Sequence, residues 1–172
     1  MNKIKIVLDT NNMNAYGKNP DLNFIEKCEN DGYVEIYYGA DTLHDLGEDG
    51  SQNPIRLNKF HSKDMVLSTG RLGYSFFPFL LAGDSPLDDE IAIIIFGTKW
   101  AEIDEKKPDT MNSKIDIKLI EASIINEINY FVTQDSQLLV KADEINEKYG
   151  ISIVNREMMR QILIDQNICN QN

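Results

Sequence analysis

The stretch "KIKIVLDTNN" (residues 3–12) decides the fold. Its apolar run "IKIVL" (4–8) is short and rich in β-branched residues, which reads as a strand buried on both faces. The run stops on Asp9, with Thr10 and Asn11 directly after it. A carboxylate at such a tip is either a turn acid, a common strand-end role, or a metal ligand held out from a sheet edge. The choice depends on what other strands deliver to the same edge.

Outward from this strand, "DLNFIEKCEN" has Leu22, Ile25 and Cys28 at helical spacing, with Asp21 as the expected cap and Gly32 as the stop. "YVEIYY" (33–38) has strand character, and "ADTLHDLG" (40–47) reads as a short helix. From about 48 to 87 the chain is irregular and rich in turn residues and aromatics, an inserted or elaborated segment. "DDEIAIIIFGTKWAEI" (88–103) predicts a mostly buried helix interrupted by Gly97. "SKIDIKLIEASIINEI" (113–128) predicts another, with Ile117, Ile120, Ile124 and Ile128 in one stripe flanked by Ala122 and Ile125. "NYFVT" (129–133) and "ISIV" (151–154) read as strands, "SQLLVKADEINEKYG" and "REMMRQILI" as helices. Alternating strands and helices imply an α/β domain with a mostly parallel sheet covered on both faces. No repeat or linker divides the chain, so residues 1–172 are read as a single domain.

The bulk numbers restrict the classes. Of 172 residues, 42% are apolar and 26% charged, ordinary for a globular domain. The longest apolar run, "IAIIIFG", is far short of a membrane span. The N-terminal stretch lacks the layout of a signal peptide, so a cytoplasmic location is expected. Two cysteines, Cys28 and Cys169, lie far apart and suggest neither a zinc site nor a disulfide framework. With 17 Lys and Arg against 28 Asp and Glu, the net charge of -11 argues against gripping nucleic acid by bulk electrostatics. It leaves room for a nuclease whose carboxylates are neutralised by divalent metal.

In parallel sheets, ligands bind beyond the carboxyl ends of the strands where strand order reverses. Two predicted strands end in acids there: "VLD" at Asp9, and "FVTQD" with Thr133 and then Asp135. Asp45 in "TLHDL" and Asp116 in "IDIKLIEAS" lie on helices that can lean over the same edge. Each has a plainer role. Asp135 precedes a helix, where Asp is a favoured N-cap. Asp116 follows Ser113 by three residues, as in a capping box. Asp45 reads singly as a solvated helical acid. Together they carry more weight, because two carboxylates about 4 Å apart repel by about 4 kcal/mol at an effective dielectric near 20. Convergence of several acids calls for a cation, and hard oxygen ligands suit Mg²⁺ or Mn²⁺.

"IVLDTN", "TLHDL", "IDIKLIEAS" and "FVTQDSQLL" followed by "GISIV" resemble, in order, the pattern of PIN domains. These are metal-dependent nucleases that include RNA-processing enzymes and the toxins of many bacterial toxin–antitoxin pairs. The resemblance covers residues 3–47 and 113–157 and leaves about 48–112 unmatched. It implies a three-layer α/β/α sandwich and hydrolysis of RNA phosphodiester bonds with Mg²⁺ or Mn²⁺. It further implies Asp9, Asp45, Asp116 and Asp135 as metal-binding catalytic acids. Thr133, with Thr10 or Asn11, would support them by hydrogen bonding. The family usually carries Glu followed by Leu where this chain has Asp45 and Leu46. The partners implied are an RNA substrate and an antitoxin or another protein; a homodimer is the simplest self-assembly to consider.

Two further groups complete the reading. Asp84, Asp88, Asp89 and Glu90 in "GDSPLDDE" read mainly as acids complementing a helix dipole. Arg56, Lys59, His61, Lys63 and Arg71 lie among Phe60, Tyr74, Phe76, Phe77 and Phe79. Such residues contact phosphates and stack on bases, or the aromatics form the inserted segment's own core. Of the basic residues, Arg56, Lys59, Lys63 and Arg71 are the candidate substrate contacts. His44 and His61 read as surface residues. A receiver domain or a haloacid dehalogenase-like phosphatase fits poorly, since Thr10 and Asn11 occupy positions where those sites place acids. A PIN-like scaffold binding RNA or a protein without catalysis is the alternative function.

Overall fold

The computed structural model describes residues 3–13, 17–39, 58–59, 62–66, 85–103 and 108–168, with backbone alone at 64–65 and 108–112. Strand β1 (Ile4–Leu8) sits inside the sheet, and Ile6, Val7 and Leu8 are completely buried. Successive strand residues point to opposite faces. Val7 accordingly enters one apolar cluster and Ile6 and Leu8 the other. Phe131 and Ile153 join the side of Val7, while Val132 and Val154 join that of Ile6. This alternation makes three layers: helices, sheet, helices.

Strands β2 (Val34–Gly39), β3 (Asp64–Val66), β4 (Tyr130–Val132) and β5 (Ser152–Val154) complete a sheet of order β3-β2-β1-β4-β5, every neighbouring pair parallel. The expected α/β/α sandwich is therefore present, with a parallel sheet. Strand β3 comes from the segment read as an insertion, and pairs Tyr37 with Asp64 and Gly39 with Val66. Its approach is anchored to helix α1 (Pro20–Asn30). Lys59 forms an ion pair with Glu26, and Lys63 with Glu29. Glu29 Oε1 also accepts from the Ile36 amide at 3.3 Å, at the edge of β2.

Helix α1 begins at Pro20, whose fixed φ suits a first helical position. Asn19, not the expected Asp21, is the cap, accepting from the amides of Asp21 and Leu22 at 3.0 and 2.9 Å. Asp21 instead meets Arg160 at 3.4 Å. Helix α2 (Pro86–Phe96) stops at Gly97, whose φ of 71° lies in the left-handed region that glycine enters without a steric penalty. The interruption expected at Gly97 is therefore present, and the remainder of the stretch to Ile103 is a 3₁₀ turn at Trp100–Glu102 rather than a resumed α-helix.

Helix α3 (Pro108–Ile125) starts five residues before the expected Ser113. Asp116 consequently lies mid-helix, and the capping-box reading does not apply. Ile117, Ile120 and Ala122 are buried as expected, but Ile125 is 46% exposed. The predicted helix after Asp135 divides at Lys141 into α4 (Ser136–Val140) and α5 (Ala142–Tyr149). Helix α6 (Arg156–Asp165) is capped by Asn155, which accepts from Met158 N at 2.7 Å. Helices α2 and α3 pack on the Val7 side, α1 and α6 on the Ile6 side. No helix among the described residues is long and apolar enough to cross a membrane.

Candidate active site

The chain builds β1, β2 and β3 outward to one side, then returns to place β4 and β5 on the other. The reversal falls between β1 and β4, where helices before and after diverge to opposite faces, the arrangement at which parallel sheets open a crevice for ligands. Register decides what lies there. Leu8 pairs with Val132, so the next residues along each strand, Asp9 and Thr133, come side by side.

Their contact is direct. Thr133 Oγ1 donates to Asp9 Oδ2 at 3.0 Å, and the Asp135 amide donates to the same Oγ1 at 3.0 Å. One hydroxyl thus gives its proton to one acid and accepts from the backbone of the other, which polarises it and fixes its rotor. Thr133 is completely buried and Asp9 is 4% exposed. Asp135 Oδ1 accepts from Gln137 N at 2.7 Å, so the plain N-cap role is real and coexists with any other. The Asp9 amide donates to the Val132 carbonyl at 3.0 Å, and the Thr133 amide to that of Val154 at 3.0 Å, locking three strand tips together.

After Asp9 the chain makes a 3₁₀ turn over Thr10–Asn12. Thr10 is buried and Asn11 exposed. Asn12, passed over in the sequence, is completely buried here. Its amide closes the turn on the Asp9 carbonyl at 2.8 Å, and its Nδ2 donates to the Val132 carbonyl at 3.0 Å. Its Oδ1 has no hydrogen-bond partner among the described residues, a condition that costs about 1–3 kcal/mol. An Asn beside a strand end reads as a turn residue, and no local signal distinguishes a buried one.

The structure therefore brings together Asp9, Thr133 and Asp135, with Thr10, Asn11 and Asn12 on the adjoining turn. Asp116 is half-buried on α3. Asp45, Arg56 and Arg71 lie outside the described residues, as do Asp84, His44, His61 and the aromatics from Phe60 to Phe79. Among the described residues, no three His, Cys, Asp or Glu side chains close around one point at metal-holding distance. The donor set at the crevice is nonetheless all oxygen. Two carboxylates fit Mg²⁺, which keeps several waters and is commonly held by one or two carboxylates with phosphates. Lys59 and Lys63, candidate substrate contacts, are engaged by Glu26 and Glu29.

The second acidic group is built into the core. Asp88 is completely buried and meets Lys118 Nζ at 2.6 Å; Glu121, also buried, meets the same nitrogen at 2.9 Å. Burial pushes the Asp88 carboxyl up to about 7, against the lowering effect of Lys118 and with a further raise from Glu121. The Lys118 and Lys114 ammonium groups lie 5.3 and 5.2 Å from the centre of the Trp100 ring. Asp89 accepts from the Trp100 amide at 3.1 Å, and Glu90 pairs with Lys148 at 2.9 Å. The helix-dipole reading of this group holds for Asp88 and Asp89, which lie in the first turn of α2. It misses that Asp88 joins α2 to α3.

Fold and site together define an α/β/α protein with a parallel sheet, in which Thr133 links the Asp9 carboxylate to the Asp135 amide at the switch between β1 and β4. No protein-family model matches the chain, and no curated protein matches it. Among solved structures, the chain is similar to one described as the crystal structure of FitAcB from Neisseria gonorrhoeae. The two share 20% identity over 88% of this chain and 97% of that one, with a TM-score of 0.39.

Proposed function

We propose that the protein is a Mg²⁺- or Mn²⁺-dependent endoribonuclease of PIN type. The observation that supports this best is the Asp9–Thr133–Asp135 linkage at the crevice, where the sheet topology favours ligand binding. Asp9, directly after β1, and Asp135, at the N-cap of α4 beyond β4, would be the primary metal ligands. Asp116 and Asp45 would complete the shell, directly or through water. Thr133 orients Asp9 by holding one oxygen, which aims the carboxylate without cancelling its charge.

A bound divalent ion supplies activation of water and stabilisation of charge on the phosphate. The reaction is hydrolysis of RNA: water adds to phosphorus, the bond to the 3′ oxygen breaks, and that oxygen takes up a proton. The products carry a 5′-phosphate and a 3′-hydroxyl. The partners proposed with this activity are RNA and an antitoxin or another protein. The second reading is a PIN-like scaffold that binds RNA or a protein without cutting; Asp45 in place of Glu and the net charge of -11 leave it open, while intact Asp9, Asp116 and Asp135 argue against it.

Labelled single-stranded RNA incubated with and without Mn²⁺, beside an Asp9→Asn variant, tests the proposal. Cleavage that needs Mn²⁺ and disappears in the variant is expected. No cleavage across varied RNAs, with no metal binding by calorimetry, would favour the scaffold instead.

A further inference from the structure

We propose that Asn12 is a positioning residue for the paired acids, setting the cation affinity of the crevice by clamping the turn after β1 onto the tip of β4. The inference rests on the nuclease reading above. Its basis is the pattern of bonds around one carbonyl. The Val132 oxygen accepts both the Asp9 amide and Asn12 Nδ2, each at 3.0 Å. Val132 directly precedes Thr133, whose hydroxyl holds Asp9 Oδ2. Asn12 N in turn donates to the Asp9 carbonyl at 2.8 Å. Asp9 is thereby held at three places: at its amide by Val132, at its carbonyl by the Asn12 backbone, and at its carboxylate by Thr133.

The Oδ1 of Asn12, without a partner among the described residues, strengthens the argument. A buried polar atom without a partner calls for an explanation, and an apolar side chain of similar volume would fill the position without one. What an apolar residue would not supply is the Nδ2 bond that ties the turn to β4. Asn12 thus exchanges an unsatisfied acceptor for a bond that fixes the relative placement of Asp9 and of the segment carrying Asp135. Groups that orient metal ligands from outside the coordination sphere commonly alter metal affinity by about 10- to 100-fold when removed.

The test uses the full chain with Asn12→Leu, which keeps the branching at Cγ and the number of heavy atoms, and Asn12→Ala, in case the bulkier leucine disturbs folding. Both are measured by Mn²⁺ calorimetry, by melting temperature without metal, and by amide hydrogen exchange without metal, beside Asp9→Asn. The expected result is Mn²⁺ affinity weakened about 10-fold or more in each folded Asn12 variant. Exchange should quicken at Asp9, Thr133 and Asp135 while the amides of α6 stay protected. Unchanged Mn²⁺ affinity in both variants, with affinity lost in Asp9→Asn, would overturn the proposal and leave Asn12 a core residue. Unchanged exchange at Asp9 would overturn it whether or not metal binds. Absence of Mn²⁺ binding by the unaltered protein would remove the nuclease reading, and this inference with it.

Discussion

Two sets of acids in this molecule are handled in different ways: Asp88, Glu121 and Asp9 are buried, whereas Asp135 is half-buried. Asp88 and Glu121 share Lys118, a cation from the same core. Thr133, a neutral hydroxyl, donates to the Asp9 carboxylate and accepts from the Asp135 amide. A lysine neutralises what it holds, whereas a hydroxyl directs a carboxylate and leaves its charge in place. The first set therefore joins helices α2 and α3. The second ties the tip of β1 to that of β4, the arrangement on which the proposed metal ligation rests. Asp9 and Asp88 are both buried, so the difference between them lies in the chemistry of the partner rather than in burial.

The comparison is open to disruption at each set, beginning with the largest effect. Lys118→Met should cost about 3–5 kcal/mol, since it strands two buried carboxylates. Urea unfolding reads this directly, and a loss below about 1 kcal/mol would show that the cluster is hydrated rather than sealed.

Thr133→Val comes next. It keeps the shape but leaves Asp9 Oδ2 without its donor and the Asp135 amide without its acceptor, at about 1–3 kcal/mol. The same variant should weaken Mn²⁺ binding, a second consequence that Lys118→Met should share only through unfolding.

Proton linkage at Asp88 gives a signed prediction. Its carboxyl titrates near 7 in the fold and near 3.8 when unperturbed. Between those values the folded state retains a proton that the unfolded state has released. The contribution of this group to stability must therefore fall as pH rises from about 4 to 7 and stay level above. Asp88→Asn should flatten that slope in denaturation curves taken across the interval. An unchanged slope would mean that another group carries it.

The smallest stability effect is expected for Asp135→Ser. Serine also caps helices, so helix α4 should survive with a change of no more than about 0.5 kcal/mol. Loss of the carboxylate should nevertheless abolish or sharply reduce Mn²⁺ binding. Retained binding would reduce Asp135 to its capping role and break the proposed pairing.

Much of this arrangement was legible in the chain. The run Ile6–Leu8, apolar at consecutive positions, requires burial on both faces and hence helices on both sides of the sheet. Gly97 marked the end of α2, and Gly150 that of α5, at positions where the backbone turns left-handed. Asp135 as a cap was readable from the helix that follows it. Other features were not. Asn19 rather than Asp21 caps α1, because Pro20 is taken into the first turn and moves the boundary. The early start of α3 at Pro108 removes Asp116 from any cap, and local spacing around Ser113 gave no sign of it. Strand β3 is three residues long and lies among turn-rich sequence, too short for periodicity to register.

The sequence by itself determined the layer architecture and the acids at two strand tips, because alternation, apolar runs and helix breakers act over a few neighbouring residues. Only the tertiary structure decided that Asp9 meets Thr133, that Asn12 is buried against Val132, and that Asp88 lies on Lys118. Those contacts join residues 30 to 124 positions apart. They follow from strand order, register and helix docking, none of which any single segment encodes.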